Sequence, residues 1–286
     1  MIFLKSRSTQ FYFIICIGLI FTACRTPRYI YSPSPANNPY FREKGESKLA
    51  AYYSNGGDYN DLESEFNKGY DLQAAYAISD KWAITADYFK RNEKDNIFNY
   101  DRTYFDSSVV RYRRNFTTFG AGYFFPLTKD KKIIMNLFGG FGPGKLVFHD
   151  AGIDDNSINY NRDYTNKLFK WYFQPSVNFF PGNYFRTGLI SKMTFVHYNN
   201  AITNYTNNEM NYLGLDKLEK NTIRILELTW NMQVTFKNLK WFYLDGGFTV
   251  SSDPFDNSTN VEARNFNASI GIFFDFSKLN KENKKD

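Results

Sequence analysis

Residues 169–179 read FKWYFQPSVNF. Phe169, Trp171, Phe173, Val177 and Phe179 fall on one face of an extended chain, and Lys170, Tyr172, Gln174, Ser176 and Asn178 on the other. A helix repeats at about 3.6 residues and would mix these sets, whereas a strand of period two keeps them apart. The same reading holds upstream. Tyr70, Leu72, Ala74, Tyr76 and Ile78 oppose Asp71, Gln73, Ala75 and Ala77, and Trp82, Ile84, Ala86 and Tyr88 oppose Ala83, Thr85 and Asp87. Near the C-terminus, Phe266, Ala268, Ile270, Ile272, Phe274 and Phe276 oppose Asn267, Ser269, Gly271 and Asp275.

Working outward, about ten such segments emerge: roughly 47–54, 69–78, 82–91, 113–125, 132–148, 167–180, 184–196, 222–236, 241–251 and 262–276. Short connections (79–81, 126–131, 181–183, 237–240) alternate with long ones (55–68, 92–112, 149–166, 197–221, 252–261). That alternation predicts an all-β fold: an up-and-down antiparallel transmembrane β-barrel of about ten strands, with long extracellular loops and short periplasmic turns. An even strand number puts both ends of the barrel on the periplasmic side. Trp82, Trp241, Tyr184 and Phe185 follow short turns, where an aromatic girdle would meet lipid headgroups.

Composition agrees. The chain carries 30 Phe and 22 Tyr among 286 residues, yet its mean hydropathy is −0.50. Aromatic abundance in a chain that is polar on average requires fine segregation, which an apolar outer face and a polar interior provide. The net charge of +6 is spread among interleaved acids and bases rather than gathered in a stripe, so nucleic acid is not an expected partner. Cys16 and Cys24 are the only cysteines, and the body lacks the Cys/His clusters of a structural zinc site, so no metal or cofactor is expected.

The N-terminus reads as an address. Lys5 and Arg7 precede the apolar run Phe11 to Phe21, too short to serve comfortably as a permanent span. Phe21-Thr22-Ala23-Cys24 then resembles a lipobox, which implies that Cys24 is the lipid attachment site and the first mature residue. The domain reading is therefore a lipoprotein signal peptide (1–23), a proline-containing periplasmic spacer (24–45), the barrel (46–276) and a polar tail (277–286). The lipobox, the spacer, Asn38-Pro39-Tyr40-Phe41 with Lys44-Gly45-Glu46, and the alternating strands together are similar to uncharacterised outer-membrane β-barrel lipoproteins of the Bacteroidota. That resemblance implies location and fold, and supplies no catalytic residues.

Candidate chemistry is sparse. Gly139-Gly140-Phe141-Gly142-Pro143-Gly144-Lys145 mimics a phosphate loop, but Leu146 stands where Ser or Thr belongs and strand-like residues follow. His149, followed by Asp150, and His197 sit where strands would leave the membrane, a position suited to general-base chemistry. No partnered serine accompanies them. Asp71, Asp87, Lys170, Arg186, Lys192, Arg224, Glu227 and Asp245 are expected to face inward and pair across the lumen. Segments 92–112 and 197–221 are rich in Tyr, Asn, Asp and Arg, and the second carries Leu213, Leu215 and Leu218. Such loops suit recognition of an envelope protein or a surface glycan, while outer-membrane lipid surrounds the wall.

The expected function is thus non-enzymatic, in recognition or as an accessory subunit of an envelope complex. The alternatives are a rim enzyme acting on lipid or peptide, and a soluble-type barrel lipoprotein with an apolar ligand inside.

Overall fold

The computed structural model describes residues 28–57, 67–98, 107–154, 156–252 and 260–278. The elements run β1 (Arg28–Tyr31), β2 (Ser47–Gly57), β3 (Lys68–Ala77), β4 (Trp82–Phe98), β5 (Ser107–Pro126), β6 (Ile133–Ile153), β7 (Asn159–Phe179), β8 (Phe185–Thr203), α1 (Asn207–Leu213), β9 (Thr222–Phe236), β10 (Leu239–Ser251), β11 (Val261–Ala263) and β12 (Phe266–Phe274). Strands β2 to β10 follow one another as antiparallel neighbours, and β12 closes the circle between β10 and β2. The fold is a closed ten-stranded antiparallel barrel.

Alternation decides which face is which. In β7, Phe173 is 52% exposed while Gln174 beside it is buried. In β12, Ile270 is 67% exposed, and Asn267 faces the interior. Phe119, Phe141, Leu189, Leu228 and Phe248 continue the outer apolar surface around the wall. An apolar exterior over a polar interior is the reverse of a soluble barrel and is the surface a membrane-spanning barrel needs. This overturns the soluble-type alternative with an apolar ligand inside. No helix among the described residues is long and apolar enough to cross a membrane, so spanning falls to the strands.

The strands are longer than the apolar pattern indicated. Crossing a bilayer takes about 9–11 tilted residues, but β6 and β7 have 21 each. The surplus projects on the long-loop side, converting most of segments 92–112 and 149–166, and the first part of 197–221 up to Thr203, from loop to paired strand. Apolar alternation stops where lipid stops, yet backbone pairing continues and inward-facing Tyr112, Phe148 and Tyr164 give it a small core. At the other end of the chain, segment 262–276 divides. Val261–Ala263 leaves the barrel wall and pairs in parallel with β1, and only Phe266–Phe274 completes the barrel.

The largest departure concerns the proline-containing segment. Its described part does not extend away from the barrel as a spacer: residues 28–41 are buried inside the lumen. β1 packs with Val110, Phe148 and Val196 at the long-loop end, whereas Tyr40 and Phe41 pack with Phe124, Ile134 and Phe180 at the short-turn end. An extended chain of that length reaches at most about 45 Å, enough to pass through the barrel from one rim to the other. Pro33, Pro35 and Pro39 favour extension and present no amide donors to satisfy. At Tyr40 the backbone turns through the left-handed region (φ 56°), and the chain then enters β2 from the short-turn side.

Candidate functional site

Two constructions occupy the places where a barrel of this kind would conduct or catalyse: the strap inside and the cap over the long-loop mouth. The strap is held by side chains that the strand period directs inward. Gln73 Nε2 donates to the Pro35 carbonyl at 2.9 Å, and Gln174 Nε2 to the Asn37 carbonyl at 3.0 Å. Asn38 and Asn178 exchange amide hydrogen bonds, Asn38 Nδ2 donating at 2.6 Å and Asn178 Nδ2 returning one at 3.1 Å. Tyr40 donates to Asn231 Oδ1 at 2.6 Å. Gly188 makes this approach possible, because a Cβ there would lie 2.5 Å from the Asn38 amide nitrogen.

Of the charges expected to pair across the lumen, Lys192 and Glu227 form an ion pair, and further pairs join residues outside that set. Lys192 lies 2.8 Å from Glu227, which also accepts from Thr194 at 2.9 Å and from Tyr31 of the strap at 3.0 Å. Arg114 pairs with Glu93, and Arg264 with Asp95. Arg91 donates to Ser32 at 2.6 Å, Ser54 at 2.8 Å and Asn267 at 2.7 Å. Asp71, Asp87, Lys170, Arg186 and Asp245 also face inward. Arg224 does not. It is exposed on the outer face, because in β9 it shares parity with Leu226 and Leu228 rather than with Glu227.

The cap is built from segment 204–221 and the β1–β11 pair. Thr206 and Glu209 form a capping box at the start of α1: Thr206 Oγ1 accepts from the Glu209 amide at 3.3 Å, and Glu209 Oε2 from the Thr206 amide at 2.7 Å. Arg162 donates to Glu209 through Nε and Nη2 at 2.9–3.1 Å. Burial tends to raise the Glu209 pKa, but the Arg162 hydrogen bonds and the Thr206 cap outweigh it and hold the carboxyl below its ordinary range. Gly214 (φ 77°) ends the helix and turns the chain into a single 3-10 turn. Leu213, Leu215 and Leu218 are buried against Tyr198, Tyr205 and Ile223, so they seal the mouth rather than face a partner.

Strap and cap meet at Asp150. Its Oδ2 accepts from Arg28 Nε at 2.8 Å, Arg28 Nη2 at 2.5 Å and Tyr205 at 2.6 Å, while Oδ1 accepts from Tyr160 at 3.0 Å. Arg28 and Asp150 are both fully buried.

The histidines do not converge. His149 Nδ1 lies 2.9 Å from Asp163 Oδ1 on the outer face of the strand extensions, and its other cross-strand neighbour is Arg111. His197 pairs with Phe169 on the same strand as Asp163. Six residues of β7 separate the two positions, roughly 20 Å at about 3.3 Å per residue. Gly139–Lys145 runs through the middle of β6 as paired strand, not as a phosphate loop. Gly140 is there because a Cβ would press 2.8 Å against the Tyr172 ring. Cys24 lies outside the described residues.

No family model matches the chain, and no curated protein matches it. Among solved structures, the chain is similar to the translocator domain of the autotransporter NalP from Neisseria meningitidis, at 8% identity over 94% of each chain (TM-score 0.46). It is also similar to the outer membrane protease OmpT from Escherichia coli, at 9% identity over 80% of this chain and 94% of that one (TM-score 0.42). A third is the toluene transporter TodX of P. putida, at 8% identity over 86% and 95% (TM-score 0.36). Their tasks differ, and at these identities none lends its activity to this chain.

Proposed function

We propose that this protein is an outer-membrane barrel lipoprotein, anchored through Cys24, that conducts nothing and acts in recognition or as an accessory subunit through its loop-side cap. The observation that carries this reading is that the chain fills its own lumen. The strap runs from rim to rim and the cap packs over its upper end, so the surface on offer is external. The outward side of the cap is amide-rich, with Asn207, Asn208 and Asn211 exposed. Each amide both donates and accepts, which suits glycan hydroxyls or a polar peptide backbone. The rim-enzyme alternative is disfavoured by the separation of His149 and His197 and by the outward setting of the His149–Asp163 pair.

Complementation of a deletion strain tests this. The His149→Ala, His197→Ala double variant is expected to restore function, and the triple Asn207→Ala, Asn208→Ala, Asn211→Ala variant to fail, with both barrels shown to be assembled by a heat-dependent gel shift. Purified wild type in planar bilayers should give no conductance steps. Full loss with the histidine variant, or robust conductance, overturns the reading.

A further inference from the structure

The long-loop end of the outer wall sorts charge in an unusual way. In β4, residues 90–95 read KRNEKD, and the strand period points Arg91, Glu93 and Asp95 into the lumen while Lys90, Asn92 and Lys94 point out. In β5, Arg114 points in and Arg111 and Arg113 point out. Lys145 of β6 and Lys167 of β7 are also outward and exposed. Glu93 and Asp95 are thereby used inside, against Arg114 and Arg264, while Asp163 faces out against His149.

Register aligns these cations. Lys90 stands opposite Asn115, Asn115 opposite Lys145, and Lys145 opposite Lys167. This makes one row across four strands, with Arg113 and Arg111 further from the membrane on β5. Like charges directly opposite each other repel, and among the described residues no carboxylate lies within ion-pair distance of Lys90, Arg111, Arg113, Lys145 or Lys167. At the loop end of the opposite wall, the outward positions Thr222, Arg224, Val250, Phe266 and Asn55 hold one cation. The row is therefore not a general feature of the rim.

Below it on the same strands lie Tyr88 and Phe169, two residues from the row, and Phe119 and Phe141, four residues from it, all exposed, with the Phe141 and Phe169 rings stacked at 6.1 Å between centroids. Tyr88 and Phe169 are each two residues from a lysine of the row, about 7 Å along a strand. Aromatic rings at that height border the acyl region, so the cations stand at headgroup level. Four strands at about 4.8 Å spacing spread the row over roughly 15 Å. One inorganic ion cannot bridge that distance; a headgroup bearing more than one phosphate can.

We infer that this wall is a binding site for a phosphorylated glycolipid of the outer leaflet, its phosphates on Lys90, Lys145, Lys167 and Arg113 and its acyl chains along Tyr88, Phe119, Phe141 and Phe169. The inference rests on the outer-membrane reading above. Native mass spectrometry of the full-length protein in mild detergent tests it, with bis-phosphorylated lipid A, dephosphorylated lipid A and inorganic phosphate as probes. Wild type is expected to retain bis-phosphorylated lipid A and to bind the other two weakly. With each basic side chain near a charged surface contributing about fivefold, Lys145→Gln, Lys167→Gln should weaken retention about 30-fold. Lys145→Arg, Lys167→Arg should keep it. The Lys90→Gln, Arg113→Gln pair offers a second variant of comparable effect on other strands. Equal retention by wild type and both glutamine pairs, or by the phosphorylated and dephosphorylated lipids, overturns the site. Membrane fractionation of the wild type separately decides the location on which it rests.

Discussion

Asp150 shows how much one residue can depend on a distant one. In the sequence it is simply the neighbour of a histidine. In the structure it is where a strap 122 residues upstream is fastened, because Arg28 brings a buried guanidinium to it. Nothing local to either residue announces the other, and an ion pair across that separation becomes visible only once the strap is known to be inside. A buried pair contributes little net stability compared with an apolar substitute, but losing one partner strands the other charge at a cost of about 3–5 kcal/mol. Asp150→Ala is therefore expected to lower the barrel's unfolding midpoint sharply, read as the temperature of the heat-dependent gel shift. Asp150→Asn keeps an acceptor for Tyr160 or Arg28 and should lose less. Equal midpoints for wild type and Asp150→Ala would mean that the strap is not fastened there.

At the scale of elements, what could be read in advance was whatever repeats. The ten wall strands follow from alternation, and Phe173 and Ile270 face outward as their parity requires. The polar strand extensions were hidden because only apolar alternation marks a wall in contact with lipid. The strap was hidden because prolines favour extension equally in a spacer and in a lumen. The cap did leave a local sign: Thr206-Asn207-Asn208-Glu209 has the spacing of a capping box, legible within a segment that otherwise reads as loop. Its strength depends on the Glu209 charge. A folded-state pKa held below the unfolded value contributes stability that is present above the unfolded pKa and lost as pH falls through the folded one. Hydrogen exchange across residues 205–218, corrected for intrinsic rates, should therefore show the cap loosening as pH drops below the ordinary glutamate range, near 4. Glu209→Gln should abolish that dependence, and Thr206→Ala should weaken the cap by about 1 kcal/mol at any pH. A cap whose protection follows acid identically in wild type and Glu209→Gln would be governed by another group.

For the whole molecule, the path of the strap alters what an N-terminal anchor would mean. Sequence alone places both ends of the barrel on the short-turn side, and β2 and β12 agree: Ser47 begins and Phe274 ends there. A lipid ahead of a simple spacer would then sit in the inner leaflet. But the chain before β2 returns through the lumen, and Arg28 lies at the long-loop end among Asp150, Tyr160 and Tyr205. Long loops face the cell exterior in barrels of the outer membrane. Arg28 itself therefore lies toward the exterior rim, four positions after Cys24 in the sequence. An epitope inserted between Pro27 and Arg28 is expected to bind antibody on intact cells. The same epitope placed after Asp286 should bind only once the outer membrane is permeabilised, because Lys278 remains on the short-turn side beside Tyr243. Both fusions keep strap and barrel intact, and the gel shift checks their assembly. Staining of the N-terminal epitope only after permeabilisation would mean that the strap does not thread the barrel in the cell, and would return the anchor to the periplasmic face.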